Sequence, residues 1–306
     1  MISSRQLEYF QAVARELHFT RAAAALRIAQ PALSQQIRKL ERQLGLVLFE
    51  RNNHRVELTP AGTALLEHAE RILSDLTAVE EDMLGWAGGV RGRIRLGAAR
   101  GLMLQLARVL AGFCRTYPAV EIELSELNTQ EMIAGLHMGR LDIATLAEVP
   151  AVGERSLSWH RLGEEPLVLV TGPDAAFAGR TSIAIAELDG HDLVVYPTGS
   201  AVGAIITATL ATAEVWVRAR FESRDYTTAR ALASVGLAAA IMPASVAEAA
   251  GPPIAIVRLE PEPVWTPTLA RSATRRPTPA QTAFTTYLVG HPEFTDTGSI
   301  GDISID

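Results

Sequence analysis

A chain of 306 residues, 48% apolar and 20% charged, has enough apolar material to bury two or more cores and does not have the composition of a disordered protein. Its single cysteine, Cys114, excludes an intrachain disulfide and a cysteine-based metal cluster. The net charge of −6 is unevenly placed: residues 1–60 hold nine Arg/Lys against five Glu, a balance of +4, which leaves −10 for the remainder. A basic end on an acidic body points to a polyanionic partner for that end alone.

The start, MISSRQLEYF, has no basic segment leading into an apolar run. No window approaches the roughly 18 apolar residues of a membrane span. A cytoplasmic protein without a membrane partner is expected. Leu7, Phe10, Val13, Ala14 and Leu17 recur at helical spacing, which predicts an amphipathic helix over 4–17. Thr20 has the chemistry of an N-cap for a short second helix through RAAAAL. RIAQ is the predicted turn, Pro31 suits the first position of a third helix, and Gly45 suits its left-handed C-terminal cap.

In that third helix Leu33, Ile37, Leu40 and Leu44 form the inward stripe, which turns Pro31, Ser34, Gln35, Arg38 and Arg42 outward. Such a face reads equally as the second helix of a helix-turn-helix or as the polar side of an ordinary helical hairpin. Residues 46–58, LVLFERNNHRVEL, favour the first reading. They form two short apolar runs around a tip of Arg51, Asn52, Asn53, His54 and Arg55, a wing suited to phosphates or the minor groove. The seven histidines, His54 included, show no metal-ligand spacing.

Residues 7–62 resemble the N-terminal domain of LysR-type bacterial transcriptional regulators. The likeness rests on Phe10, Val13-Ala14, Phe19, Ala22-Ala23, Leu26, Gln30-Pro31, Ser34, Ile37, Leu40-Glu41, Leu44-Gly45, Leu48-Phe49, Arg51, Leu58-Thr59 and Gly62. It implies double-stranded DNA as partner. Gln30, Pro31, Ser34 and Gln35 would reach base edges, while Thr20, Arg38 and the wing residues Arg51, Asn53 and Arg55 would meet the backbone. Many relatives have Arg where this chain has Gln35.

Thr59-Pro60 opens a helix to about Gly85 in which Leu65, Ala69, Ile72, Leu76, Val79, Met83 and Trp86 alternate by four and three. Such a seam packs either on its own domain or on a second copy. The Gly88-Gly89 linker leaves little chain nearby, and the resemblance implies a homodimer or homotetramer on a dyad-symmetric DNA site.

From Arg93 short strands alternate with helices, predicting a largely parallel α/β unit and a second one beginning near EEPLVLVTGP, with VWTPTLARS returning to the first. On LDIA and GLAAAIMP this part resembles the effector domain of the same family, with the fold of periplasmic solute-binding proteins. The expected fold is therefore α plus α/β. It comprises a winged helix-turn-helix (1–59), a linker and dimerisation helix (60–90) and a two-lobed periplasmic-binding-protein-like effector domain (91–292). Lobe 1 covers 91–161 and 266–292, lobe 2 covers 162–265, and 293–306 is a tail expected to be disordered.

Ligands of such sheets sit beyond the carboxyl ends of strands. Ala99-Arg100-Gly101, Asn128-Thr129 and Thr198-Gly199-Ser200 each open a helix there, and Ser223 and Asp225 precede another. These turns serve either as plain helix caps or as a site for a small-molecule effector, with the helix ends favouring a carboxylate or other small anion and Arg100 able to clamp it. Relatives usually offer Ser or Thr where this chain has Arg100 and Gly101. Cys114, beside Leu110, Phe113 and Tyr117, is expected to be buried, and peroxide-sensing relatives use two cysteines. No catalytic motif, metal site or cofactor is found: G-x-S-x-G and a P-loop are both absent. An effector-modulated DNA-binding regulator is the leading reading. A solute-binding module without DNA binding is second, and an enzyme, resting on fold analogy alone, is third.

Overall fold

The computed structural model describes residues 1–52, 55–86, 89–146, 156–197 and 199–295. These form two compact units, residues 1–89 with 137–140 and the remainder.

The first unit opens with α1 (Ser4–Glu16), α2 (Phe19–Ala25) and α3 (Gln30–Leu44). Ser3 and Gln6 close a capping box on α1. The cap of α2 is His18 rather than Thr20: the His18 Nδ1 accepts from the N–H groups of Thr20 and Arg21, and Thr20 lies one residue inside the helix. The cause is Leu17, whose left-handed conformation (φ 47°) ends α1 early and brings the His18 ring over the free N–H groups. Helix α3 starts at Gln30, so Pro31 occupies its first turn, where a missing N–H costs nothing. Gly45 ends the helix at φ 67°, a conformation glycine adopts without penalty.

Leu33, Ile37 and Leu40 are fully buried against Phe10 and Val13 of α1 and Ala22 of α2. The hairpin β1 (Phe49–Asn52) and β2 (Arg55–Leu58) follows, with Phe49 opposite Leu58. Phe49 anchors it in the helical core, 5.3 Å from the Phe10 ring and 5.9 Å from Phe19. The Glu41 carboxylate accepts from the N–H groups of Leu48 (3.0 Å) and Phe49 (3.4 Å), so α3 holds the root of the hairpin directly.

Helix α4 (Pro60–Trp86), about 40 Å long at 1.5 Å per residue, is capped by Thr59, whose hydroxyl accepts from Gly62 and donates to the Val47 carbonyl. The expected seam divides. Ala69 is fully buried in the helical core of this same unit and so is not available to a second copy, while Leu65 is partly buried there. One face of α4 covers α1, and the first two seam residues lie on it. Ile72, Leu76, Val79 and Met83, 42–59% exposed, continue the stripe uncovered by their own unit.

The second unit holds two sheets. The first contains β3 (Gly92–Ala98), β4 (Val120–Glu126), β5 (Ile143–Leu146), β6 (Leu157–Arg161) and, far along the chain, β14 (Thr268–Ser272), in the order β4-β3-β5-β14-β6. Helices α5 (Met103–Thr116), α6 (Thr129–Met138), α10 (Pro279–Val289) and α11 (Pro292–Thr295) accompany it. The second sheet runs β10-β9-β11-β7-β12-β8, from β7 (Glu165–Thr171), β8 (Ser182–Ala184), β9 (Asp192–Val195), β10 (Arg218–Glu222), β11 (Ala239–Pro243) and β12 (Ala255–Glu260). The short β13 (Val264–Trp265) lies beside β7. Its helices are α7 (Ala201–Thr212), α8 (Tyr226–Ser234) and α9 (Ala244–Glu248).

Both sheets are mixed rather than largely parallel. Strands joined by helices within a lobe pair parallel, as in β4-β3-β5 and β10-β9-β11. Next to the crossings between lobes, β7 in the second sheet and β14 in the first enter from the opposite end and pair antiparallel with both neighbours, while β12, antiparallel to β7, pairs parallel with β8. The crossings themselves form a ribbon, with Trp265 registered on Glu165 and Leu162 donating to the Pro267 carbonyl at 2.7 Å. Cys114 is exposed, contrary to expectation, because Leu106, Val109 and Phe113 already define the buried face of α5 and the next residue turns about 100° away. Residues 293–295 belong to α11 rather than to a tail, held by the Phe294 ring in the core; 296–306 lie outside the described residues.

A Cβ on Gly62 would stand 2.2 Å from the Leu48 carbonyl oxygen, a backbone atom with no freedom to retreat. Gly62→Ala is expected to destabilise the first unit by about 1–3 kcal/mol, read as a lower urea midpoint; an unchanged midpoint would show that α4 and the hairpin root are not held this closely.

Candidate functional site

Two surfaces collect the chemistry anticipated from the sequence. On the first unit, Gln30, Pro31, Gln35, Arg38 and Arg42 are exposed along one side of α3, and Thr20 is exposed on α2. Ser34 is not part of that open ridge. It is 6% exposed, since it sits on the helical turn between Leu33 and Ile37, and its hydroxyl receives the Gln30 side-chain N–H at 2.9 Å. Its visible task is to aim the Gln30 amide. Arg51 lies in β1 and Arg55, exposed, in β2, while Asn53 and His54 fall outside the described residues. The ridge offers amides and guanidinium groups, which fit base edges and phosphate oxygens.

The second surface is a cavity of about 320 Å³ in the second unit. It opens where chain segments leave the carboxyl ends of parallel strands: 99–101 after β3, 127–129 after β4, 196–197 with 199–200 after β9, and Arg224 with Tyr226 after β10. Ala99, Arg100, Gly101, Asn128, Thr129, Gly199 and Ser200 all line it, and Thr198 lies outside the described residues. Ser223 and Asp225 do not line it. Ser223 bonds to the backbone of Asp225, and the Asp225 carboxylate caps α8 by accepting from the N–H groups of Thr227 and Thr228. Burial works against the charge of Asp225, but those hydrogen bonds hold its carboxyl below the ordinary aspartate value.

Capping also occupies other turns. Ser200 accepts from Gly203 at the start of α7, and Asn128 and Glu131 exchange side-chain bonds with each other's N–H at the start of α6. Arg100 is paired although exposed: its Nε and Nη2 both point at Oε1 of Glu126. Arg224 also lines the cavity, and among the described residues no carboxylate pairs with it.

The remaining walls were not anticipated. Tyr196 and Tyr226 meet at 5.1 Å in an edge-on arrangement, and burial pushes both phenols above their ordinary value. Trp265, 1% exposed, packs so closely over Gly101 that a Cβ there would stand 2.8 Å from the indole. Its Nε1–H donates to Glu165 at 3.0 Å, whose other oxygen accepts from the Ser245 N–H at 2.7 Å. A buried carboxylate thereby fixes an aromatic wall of the cavity to the ribbon that joins the lobes. These residues follow strands distant in sequence, and no local spacing announces their meeting.

Among the described residues no helix is long and apolar enough to cross a membrane. Nor do any three His, Cys, Asp or Glu side chains there converge as a metal site would require.

Known proteins match both units. Residues 4–63 fit the model of the bacterial regulatory helix-turn-helix proteins of the lysR family, and residues 87–292 fit that of the LysR substrate binding domain. YybE of Bacillus subtilis strain 168, an uncharacterized helix-turn-helix-type transcriptional regulator, is 30% identical over 239 residues, which is 78% of this chain and 81% of that one. Full-length CbnR in complex with its target DNA superposes with a TM-score of 0.71 at 28% identity, covering 94% of this chain and 99% of that one. A full-length OxyR variant from Pseudomonas aeruginosa superposes over 99% of both chains with a TM-score of 0.77, a likeness of fold at 22% identity. With a helix-turn-helix model on its first unit and a substrate-domain model on most of its second, the chain belongs to the LysR family of bacterial regulators.

Proposed function

We propose that the protein is a cytoplasmic transcriptional regulator that binds a dyad-symmetric DNA site as a homodimer or homotetramer and responds to a small-molecule effector, a carboxylate or other small anion, in the cavity of its second unit. The observation that carries this reading is the open ridge of α3, set beside a hairpin that Glu41 roots to the same helix. Gln30, Pro31 and Gln35 read base edges, Ser34 positions Gln30, and Thr20, Arg38, Arg51, Asn53 and Arg55 meet the sugar-phosphate backbone. Gln35 supplies an amide where an arginine would select guanine, which favours an adenine partner.

Ile72, Leu76, Val79 and Met83 supply the pairing surface. Two copies bring eight half-exposed apolar side chains together, at roughly 1 kcal/mol each, against an association cost of about 4–15 kcal/mol. The stripe alone therefore places pairing near its threshold, and simultaneous engagement of two half-sites adds to it. Effector and DNA are coupled only through their differential affinity for alternative arrangements of the chain. The basic helix-turn-helix end disfavours a solute-binding module without DNA, for which such a ridge would have no use.

Binding of the purified protein to DNA upstream of its own gene is expected to weaken steeply with salt, with a slope of about −0.9 per neutralised phosphate. Gln35→Ala is expected to flatten preference among sites, whereas Arg38→Ala weakens all sites alike and lowers the slope by about one. Titrations showing the same loss for both variants on specific and random duplexes would contradict these roles. Leu76→Asp is expected to shift the mass measured by light scattering towards the monomer and to reduce affinity for two-half-site DNA more than for one half-site; an unchanged mass removes α4 from the interface.

A further inference from the structure

The charge around the cavity is balanced in an unusual way. Four ionised side chains line it: Arg100 and Arg224 against Glu126 and Glu131. Glu131 is committed to the start of α6 through the Asn128 N–H, and Arg224 has no carboxylate partner among the described residues. Glu126 is placed by the parallel ladder itself, directly opposite Ala98, which sets its carboxylate beside the turn that carries Arg100. One oxygen of Glu126 takes both Nε and Nη2 of Arg100, two donors arranged to hold a ligand carboxylate. The two side chains are 39% and 37% exposed, so the pair is hydrated and cheap to open.

We propose that Glu126 is a built-in competitor for the effector: it occupies the Arg100 guanidinium, whose Nε and Nη2 fork would otherwise hold the anionic group of a small organic acid, and so sets the concentration at which the effector binds. The inference rests on the cavity being the effector site. The acid enters with its carboxylate displacing Glu126 from Arg100 and its body against Tyr226 and Trp265. The displaced Glu126 turns to solvent at the rim. Because the competitor is an anion, it discriminates by charge: a neutral molecule of the same shape gains nothing from its removal.

The test uses the full-length protein, with phenylacetate as the anionic probe and phenylacetamide as its neutral counterpart, followed by calorimetry. Glu126→Gln keeps the shape of the side chain and removes the charge. Phenylacetate is expected to bind E126Q roughly tenfold more tightly than the parent, with phenylacetamide unchanged, and the gain should disappear in the R100Q/E126Q double variant. Equal affinity of E126Q and parent for phenylacetate, a gain that survives R100Q, or no detectable binding to E126Q overturns the proposal. Thr129→Trp, which fills the cavity, distinguishes a failed site from a failed competitor. Phenylacetate binding unaffected by T129W places the ligand elsewhere and fails the cavity reading itself. Binding lost in T129W but equal in parent and E126Q fails the competitor alone.

Discussion

Burial of the inner stripe of α3 is the constraint on which the first unit depends. Leu33, Ile37 and Leu40 have no solvent exposure, and their partners come from α1, α2 and the hairpin root. A helix with three fully buried positions on one side has no rotational freedom left, so its opposite side must face outward. Phe49 lies between Phe10 and Phe19, and Glu41 binds the N–H groups beside it, so the hairpin is fixed to the same helix. The ridge and the wing are thus two outputs of one packing event. A side chain on the ridge is placed by residues that never approach a ligand.

In the second unit the comparable constraint is topological. Parallel strands need helical crossovers, and each crossover here opens at the carboxyl end of a strand, so chain turns accumulate at one place. The ribbon of β7 and β13 then decides how the two sheets share that place. Glu165 and Trp265 are registered partners on it, and the indole reaches from the ribbon onto Gly101, where only a residue without a Cβ leaves room. A single buried carboxylate therefore links the joint between lobes to the wall of the cavity. At the cavity Arg100 is already paired with Glu126, and on the proposed reading an incoming carboxylate would compete with that partner.

Much of the first unit was legible in the sequence because its signals are local: the apolar stripe of α3, Pro31 at its start and Gly45 at its end each report on neighbours three or four residues away. The failures have equally local causes. Thr20 has cap chemistry, but the left-handed turn at Leu17 delivers His18 first. Ser34 is polar, which by itself points outward, yet it sits at the edge of the buried stripe and its hydroxyl serves Gln30. Leu65 and Ala69 fit the repeat of a seam, and period alone cannot tell which partner a stripe meets; the first two positions meet their own unit and the next four do not. Cys114 looks apolar beside Phe113 but faces away from it on the helix. In the second unit the turns after β3, β4 and β9 could be anticipated because each combines a strand end with a helix start. Glu126, Arg224 and Trp265 could not, since their proximity is made by pairing between distant segments and leaves no spacing to read. Family resemblance covered the arrangement as a whole and said least where this chain departs from it, at Arg100 and Gly101.

The central claim is that the outward side of α3 enters the major groove, twice per assembly. A photo-crosslinking side chain placed at position 35 in the full-length protein, bound to a duplex carrying its own upstream site, tests this most directly. Crosslinks are expected at bases in two clusters about one helical turn or a multiple of it apart, related by the dyad of the site. Crosslinking confined to the sugar-phosphate backbone, or a level no higher than that from the buried position 37, would contradict the account.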